Sequence, residues 1–189
     1  MRKTLFLIIL TVLQSCCLTV NGQNLQFYRE DILFSLKENK VVTDAEYYFC
    51  NVGDKDIRVT LFYPFPENTK ELIDSLVVED LKTSTVIPYH DARSGIFFEI
   101  FVKAYGQSAY RVYFRQRLKE DHFSYILNST KTWGKSLDFA NYELQIPLSI
   151  IPDSLSYPPD TSFILNDTLF YRWKMVDFMP DKDLEVFFH

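Results

Sequence analysis

The sequence predicts an all-β protein: an antiparallel β-sandwich of about ten short strands after an N-terminal signal peptide. Three observations predict it. Apolar side chains recur at every second position through most of the chain, the period of a half-buried strand. Clusters of turn-forming residues separate these runs at intervals of about 8–12 residues. Aromatic residues make up 16% of the 189 residues, enough to fill the roughly 10 Å between two facing sheets.

The leader comes first. Met1-Arg2-Lys3 is a short positive start, and residues 4–13 (TLFLIILTVL) form an unbroken apolar run. This is the order of a secretory signal, and the run is too short for a comfortable transmembrane helix. Two processing readings stand. Val20-Asn21-Gly22 ahead of Gln23 suits simple cleavage, which makes 1–22 a signal peptide and 23–189 a single domain. Leu13-Gln14-Ser15-Cys16 is similar to a bacterial lipoprotein box, in which Cys16 becomes the acylated first residue. Both readings place the protein outside the cytoplasm: periplasmic, attached to the outer membrane, or extracellular.

The strands follow in order. Ile32, Phe34 and Leu36 share a face over 31–37, and Val41, Ala45, Tyr47 and Phe49 share one over 41–50. Ile57, Val59, Leu61, Tyr63 and Phe65 do so over 57–65. The turn-rich link from Asn51 to Asp56 makes 41–65 a β-hairpin. Pro64 and Pro66 end it, because proline donates nothing to a ladder. Residues 67–75 suit either a helical turn or an excursion between strands. Residues 76–89 read as a hairpin turning near Lys82-Thr83, and 90–95 as a loop. Next, Ile96, Phe98, Ile100 and Val102 alternate with Phe97, Glu99, Phe101 and Lys103. Tyr110, Val112 and Phe114 then alternate with Arg111, Tyr113 and Arg115. Paired as a hairpin with their apolar faces aligned, these runs set Phe98 against Phe114 and Ile100 against Val112. The opposite face then sets Phe97 against Arg115 and Phe101 against Arg111. Residues 140–146 make a strand, and a connector holding Pro147, Pro152, Pro158 and Pro159 follows. A hairpin over 162–178 turns at Asn166-Asp167, and 183–189 is a last strand or a docked tail.

Two stretches carry a resemblance. One is the turn of Asn51, Gly53 and Asp54 with the closing Pro64-Phe65-Pro66. The other is Tyr125-Ile126-Leu127 followed by Thr132-Trp133-Gly134-Lys135. Together they resemble uncharacterised bacterial exported β-sandwich domains of DUF type, across about 41–146. That resemblance implies a sandwich and export, and no activity. The opening hairpin is also similar to the N-terminal β-domains of some exported metallopeptidases, which implies kinship with an accessory domain.

Charge and motifs narrow the function. Net charge is −5 at pH 7 and grows more acidic once Arg2 and Lys3 leave with the leader, which argues against nucleic acid as a partner. Five glycines include no phosphate-binding loop of GxGxxG or GxxxxGK[ST] type. Cys50 is the one cysteine beyond the leader, a small strand hydrophobe rather than a nucleophile. His90, His122 and His189 are the only histidines and lack metal-ligand spacing. No GxSxG elbow is present. Asp54 and Asp56, and Asp181 and Asp183, suit backbone capping better than calcium. Neither catalytic residue nor cofactor is expected.

The sharpest candidate is an arginine–aromatic face. A regular strand through 110–119 puts Arg111, Tyr113, Arg115 and Arg117 on one side, with Phe97 and Phe101 opposite in the expected hairpin. Such a face would take an anionic glycan or an acidic partner, or would satisfy itself, with arginine stems covering rings. Trp133 and Trp173 are candidates for stacking sugars, or for core and plug positions. The leading expectation is a non-enzymatic exported module that contacts another envelope or extracellular protein. A glycan- or small-ligand-binding module is the alternative, and an enzyme or peptidase accessory-domain relative is the third. The membrane is reached only through a Cys16 lipid anchor.

Overall fold

The computed structural model describes residues 24–188. The leader, both processing readings, Cys16 and His189 lie outside the described residues. Fourteen strands are present among those described: β1 (Leu25–Lys37), β2 (Lys40–Asn51), β3 (Ile57–Pro64), β4 (Ile73–Asp80), β5 (Thr85–Val86), β6 (Tyr89–Ala92), β7 (Gly95–Val102), β8 (Gln107–Arg117), β9 (His122–Tyr125), β10 (Leu137–Pro147), β11 (Pro152–Leu155), β12 (Thr161–Leu165), β13 (Thr168–Phe178) and β14 (Leu184–Phe188). No described helix is long and apolar enough to cross a membrane. The all-β expectation holds.

The strands form three sheets. The largest has the order β12-β13-β10-β1-β2-β8-β4-β5, and the others are β3-β7-β6 and β11-β14-β9. Every ladder is antiparallel except β1 with β10. Alternation gives the large sheet one apolar face. Ile32, Phe34, Ala45, Val112, Tyr142 and Leu144 are all buried. Their ladder partners keep them on that face: Ile32 lies beside Ala45 and Tyr142, and Ala45 beside Val112. Both small sheets cover this face. Phe123 and Tyr125 of β9 meet Phe34 edge-on at 5.2 and 5.1 Å, and Tyr63 of β3 meets Tyr47 and Phe114 at 5.8 and 6.2 Å. The result is a sandwich with one continuous layer and one divided layer.

Two expected hairpins are not hairpins. β2 pairs with β1 and β8, whereas β3 pairs with β7. β7 pairs with β3 and β6, and β8 with β2 and β4. Phe98 therefore sits beside Leu61 and Tyr89, and Phe114 beside Thr43 and Leu76. The physical reason lies in the links. Residues 51–56 and 103–106 each carry the chain from one layer to the other, and they bond to each other. Asn51 N donates to Gly106 O at 2.9 Å, and Tyr105 N donates to Gly53 O at 3.0 Å. Thus β2–β8 and β3–β7 are two ladders of one folded-over ribbon, and apolar alternation within a strand looks the same in either arrangement.

Asn51 locks this corner. It is fully buried, donates to Lys55 O at 2.7 Å and Val102 O at 3.2 Å, and accepts from Gly53 N at 2.9 Å. Asn51→Ala removes three hydrogen bonds and strands buried backbone groups. We expect a loss of about 2 kcal/mol in urea unfolding, and a change under about 0.5 kcal/mol would show that the corner holds without it.

Smaller differences have local causes. The expected loop at 90–95 is edge strand β6, joined to β7 through Arg93-Ser94, and its side chains, none of them buried, leave no apolar period to read. Gly95 is required there, because a Cβ would lie 2.2 Å from the Tyr63 carbonyl oxygen. The ambiguous 67–75 stretch holds a short 3-10 turn, Lys70–Leu72, followed by the start of β4. The hairpins at 76–89 and 162–178 and the last strand form as expected.

Candidate functional site

The arginine–aromatic face divides between sheets. Arg111, Tyr113, Arg115 and Arg117 do project from one side of β8, since Tyr110, Val112, Phe114 and Gln116 between them are buried. That side is the outer surface of the large sheet. Phe97 and Phe101 stand on β7 in another sheet, where Phe97 packs against Phe62 at 4.9 Å and Phe101 receives the Arg58 guanidinium at 5.2 Å. The expected oppositions of Phe97 with Arg115 and Phe101 with Arg111 do not form, because β7 takes β3 as its partner. Acids lie beside the arginines instead. Arg111 grips both oxygens of Asp44 at 2.5 Å, and Arg115 meets Asp74 at 2.5 Å.

Other candidates occupy structural places. Trp173 is buried and donates to Tyr157 O at 3.2 Å. Asp56 accepts from Ala104 N, and Asp183 accepts from Leu127 N and Asn128 N, the capping work that turn aspartates perform. His122 stacks on Phe187 at 4.3 Å, and His90 is exposed on β6. Among the described residues, no three His, Cys, Asp or Glu side chains gather as metal ligands.

Trp133 leads to the site. The divided layer leaves a cleft of about 770 Å³ between β3 and the segment 125–133. Its floor is β1 and β2, through Phe27, Glu30, Tyr47 and Phe49. One wall is the inward side of β3. There Ile57, Val59, Leu61 and Tyr63 are only partly covered, unlike the buried alternate residues of β2 and β8. The other wall is Trp133, held 5.7 Å from Phe27 and 5.5 Å from Phe49. A 3-10 turn, Asn128–Trp133, presents it, and Gly134 in the left-handed region (φ 67°) stops the turn directly behind it. Asp183 fixes the front of the turn through its two backbone bonds.

A polar centre lies beneath this apolar cleft. The hydroxyls of Tyr47, Tyr63 and Tyr125 bond in a triangle, with Tyr63 3.0 Å from each of the others and Tyr47 bonded to Tyr125. Each can donate once and accept once around the ring. The three tyrosines come from the three sheets, so the triangle joins β2 to the facing edges of β3 and β9. Burial raises all three phenols above their ordinary range.

Glu30 is the carboxyl member. It is 3% exposed, and Tyr142 of β10 donates to its Oε1. Burial pushes its carboxyl up to about 7, against the Tyr142 bond, which lowers it; neighbouring Asp31 raises it further. A bulge places it inside. β1 buries Leu25 and Phe27, then Glu30, Ile32 and Phe34, and the register with β2 shifts between Phe27 and Arg29. The extra residue, Tyr28, exchanges odd for even inward positions, as a bulge must. The expectation of a strand over 31–37 began after this bulge and missed Glu30. The signal was the change of parity between Leu25/Phe27 and Ile32/Phe34.

No protein-family model matches the chain, and no curated protein does. Solved structures do share its fold. A "putative nutrient binding protein" from Legionella pneumophila superposes with a TM-score of 0.66 at 13% identity, over 86% of this chain and 66% of that one. The M1 zinc metallopeptidase from Deinococcus radiodurans superposes with a TM-score of 0.52 at 10% identity, over 87% of this chain and 42% of the enzyme. A mutant of that enzyme bound to a Tyr-Ser-Ala substrate gives 0.54 at 9% identity, over 87% and 43%. The chain thus spans just under two thirds of the first protein and less than half of the second, and what it shares with both is a β-rich fold.

Proposed function

We propose that this protein is a non-catalytic binding module whose ligand seat is the Trp133 cleft. The observation that carries the reading is the cleft itself: about 770 Å³, walled by aromatic and aliphatic side chains, with a few convergent polar groups at its floor. That is the make-up of a small-molecule site. The description of the Legionella protein as a nutrient-binding protein and the expectation of an exported domain both suit it. The arginine face is set aside because Asp44 and Asp74 already meet Arg111 and Arg115.

The neutral fluorophore N-phenyl-1-naphthylamine tests the seat. We expect saturable one-to-one binding that weakens at least tenfold in Trp133→Ala, which removes a wall, and in Val59→Trp, which fills the space. Arg111→Ala should bind as the wild type does. Non-saturable binding, or binding indifferent to both cleft variants, would overturn the reading.

A protein-contact role draws on a separate observation. Phe62 and Phe97 pack together, tilted by 42°, on the outer side of β3 and β7 at 45% and 41% exposure. Cross-linked co-purification from intact cells, repeated with Phe97→Ser, would support that role only if a stoichiometric partner is lost with the variant.

A further inference from the structure

Glu30 is a buried carboxyl with no cation beside it. Tyr142 donates to Oε1, and among the described residues no donor is placed on Oε2. The side chain is almost wholly buried, yet it lines the cleft. The groups facing it from other strands are phenols: Tyr47 of β2, Tyr63 of β3, Tyr125 of β9 and Tyr142 of β10. On its own strand the neighbour is Asp31, which is engaged by Arg29 at 2.6 Å. The other charged residues of the cleft are Asp56 and Arg58, and Arg58 turns its guanidinium to Glu99 at 2.6 Å and to the Phe101 ring. A buried carboxylate with no cation is costly, and it is relieved by a proton or by an incoming positive group.

We propose that Glu30 is the counter-ion for the ammonium group of an apolar amine, whose body lies against Trp133, Phe27 and Phe49. This deepens the ligand-seat reading and rests on it. The walls agree with the floor, since aromatic faces also attract a desolvated ammonium. Binding exchanges one positive group for another: below about pH 7 the proton on Glu30 leaves as the ammonium arrives. Amine affinity therefore falls as the solution is acidified, while a neutral ligand of the same shape shows no such loss.

Tryptamine and tryptophol form a suitable pair, alike except for an ammonium in place of a hydroxyl. Titration calorimetry at pH 8 and pH 5.5 is expected to show tryptamine binding wild type at least tenfold tighter than tryptophol at pH 8. The preference should be largely lost at pH 5.5, since the ionised fraction of a carboxyl at about 7 falls about thirtyfold between the two pH values, and it should be absent in Glu30→Gln, whose fold is checked by circular dichroism. Equal binding of the two by wild type, or a preference that survives in Glu30→Gln, would overturn the assignment. If wild type binds N-phenyl-1-naphthylamine but shows no amine preference, the carboxylate assignment fails and the ligand seat stands. If it binds none of the three, both fail.

Discussion

Phe34→Ala should lower the free energy of unfolding by about 4 kcal/mol, the largest effect expected of a single substitution here. Phe34 is completely buried at the middle of β1. On one side its backbone pairs with Thr43 of β2 and Leu144 of β10. On the other its ring meets Phe123 and Tyr125, which belong to the facing sheet. Alanine removes transfer energy and leaves a cavity between layers that are each fixed by their own ladders, so little collapse can fill it. A domain of ordinary stability, about 5–15 kcal/mol, loses a large share of its margin. The midpoint of urea unfolding measures this, and a loss below about 1 kcal/mol would mean that the two layers close over the space.

Glu30 should make the wild type less stable as pH rises. Its carboxyl sits at about 7 in the folded protein against an ordinary 4.5. Between these values the folded form keeps a proton that the unfolded chain has released. Stability from this group is complete below pH 4.5, declines through the window and is gone above about 7. At about 1.4 kcal/mol per pH unit, the loss reaches about 3 kcal/mol. Glu30→Gln has nothing to titrate there. Its stability relative to wild type should improve by about that amount between pH 4.5 and 8, measured by denaturant unfolding at each pH. Asp74, held below its ordinary value by Lys40 and Arg115, and Asp181, held there by Tyr157, act in the other direction. Their stabilisation is lost only as pH falls below the window, and it is common to both proteins. Parallel stability curves would show that Glu30 is ionised in the folded state throughout.

The strands were legible because each buries one face. Ile57 to Phe65 and Tyr110 to Phe114 announce themselves by a period of two, and Asn166-Asp167 announces its hairpin. The partners were not legible. Alternation says which side of β7 faces inward and nothing about whether β3 or β8 lies beside it, since both offer an apolar row. The corner that decides this is made of backbone bonds between Asn51 and Gly106 and between Tyr105 and Gly53, which have no side-chain signature. Of the site, Trp133 was visible as an aromatic beside a glycine. Glu30 was hidden because Arg29-Glu30-Asp31 reads as a charged interruption, and only the bulge at Tyr28 turns its middle residue inward. Tyr47 and Tyr63 read as core aromatics and Tyr125 only as part of a resemblance, and the meeting of the three depends on how the two small sheets abut.

The parallel ladder between β1 and β10 has a consequence for a chain made from its N-terminus. Ser35 waits for Gln145, 110 residues later, before that edge of β1 is covered. In the meantime the hairpin with β2 satisfies one side, while the other exposes a row of amides and carbonyls to any passing strand. Contacts of such long sequence separation also close slowly. The half-synthesised molecule therefore keeps that edge of β1 open to pairing with another chain until Leu137–Pro147 has emerged.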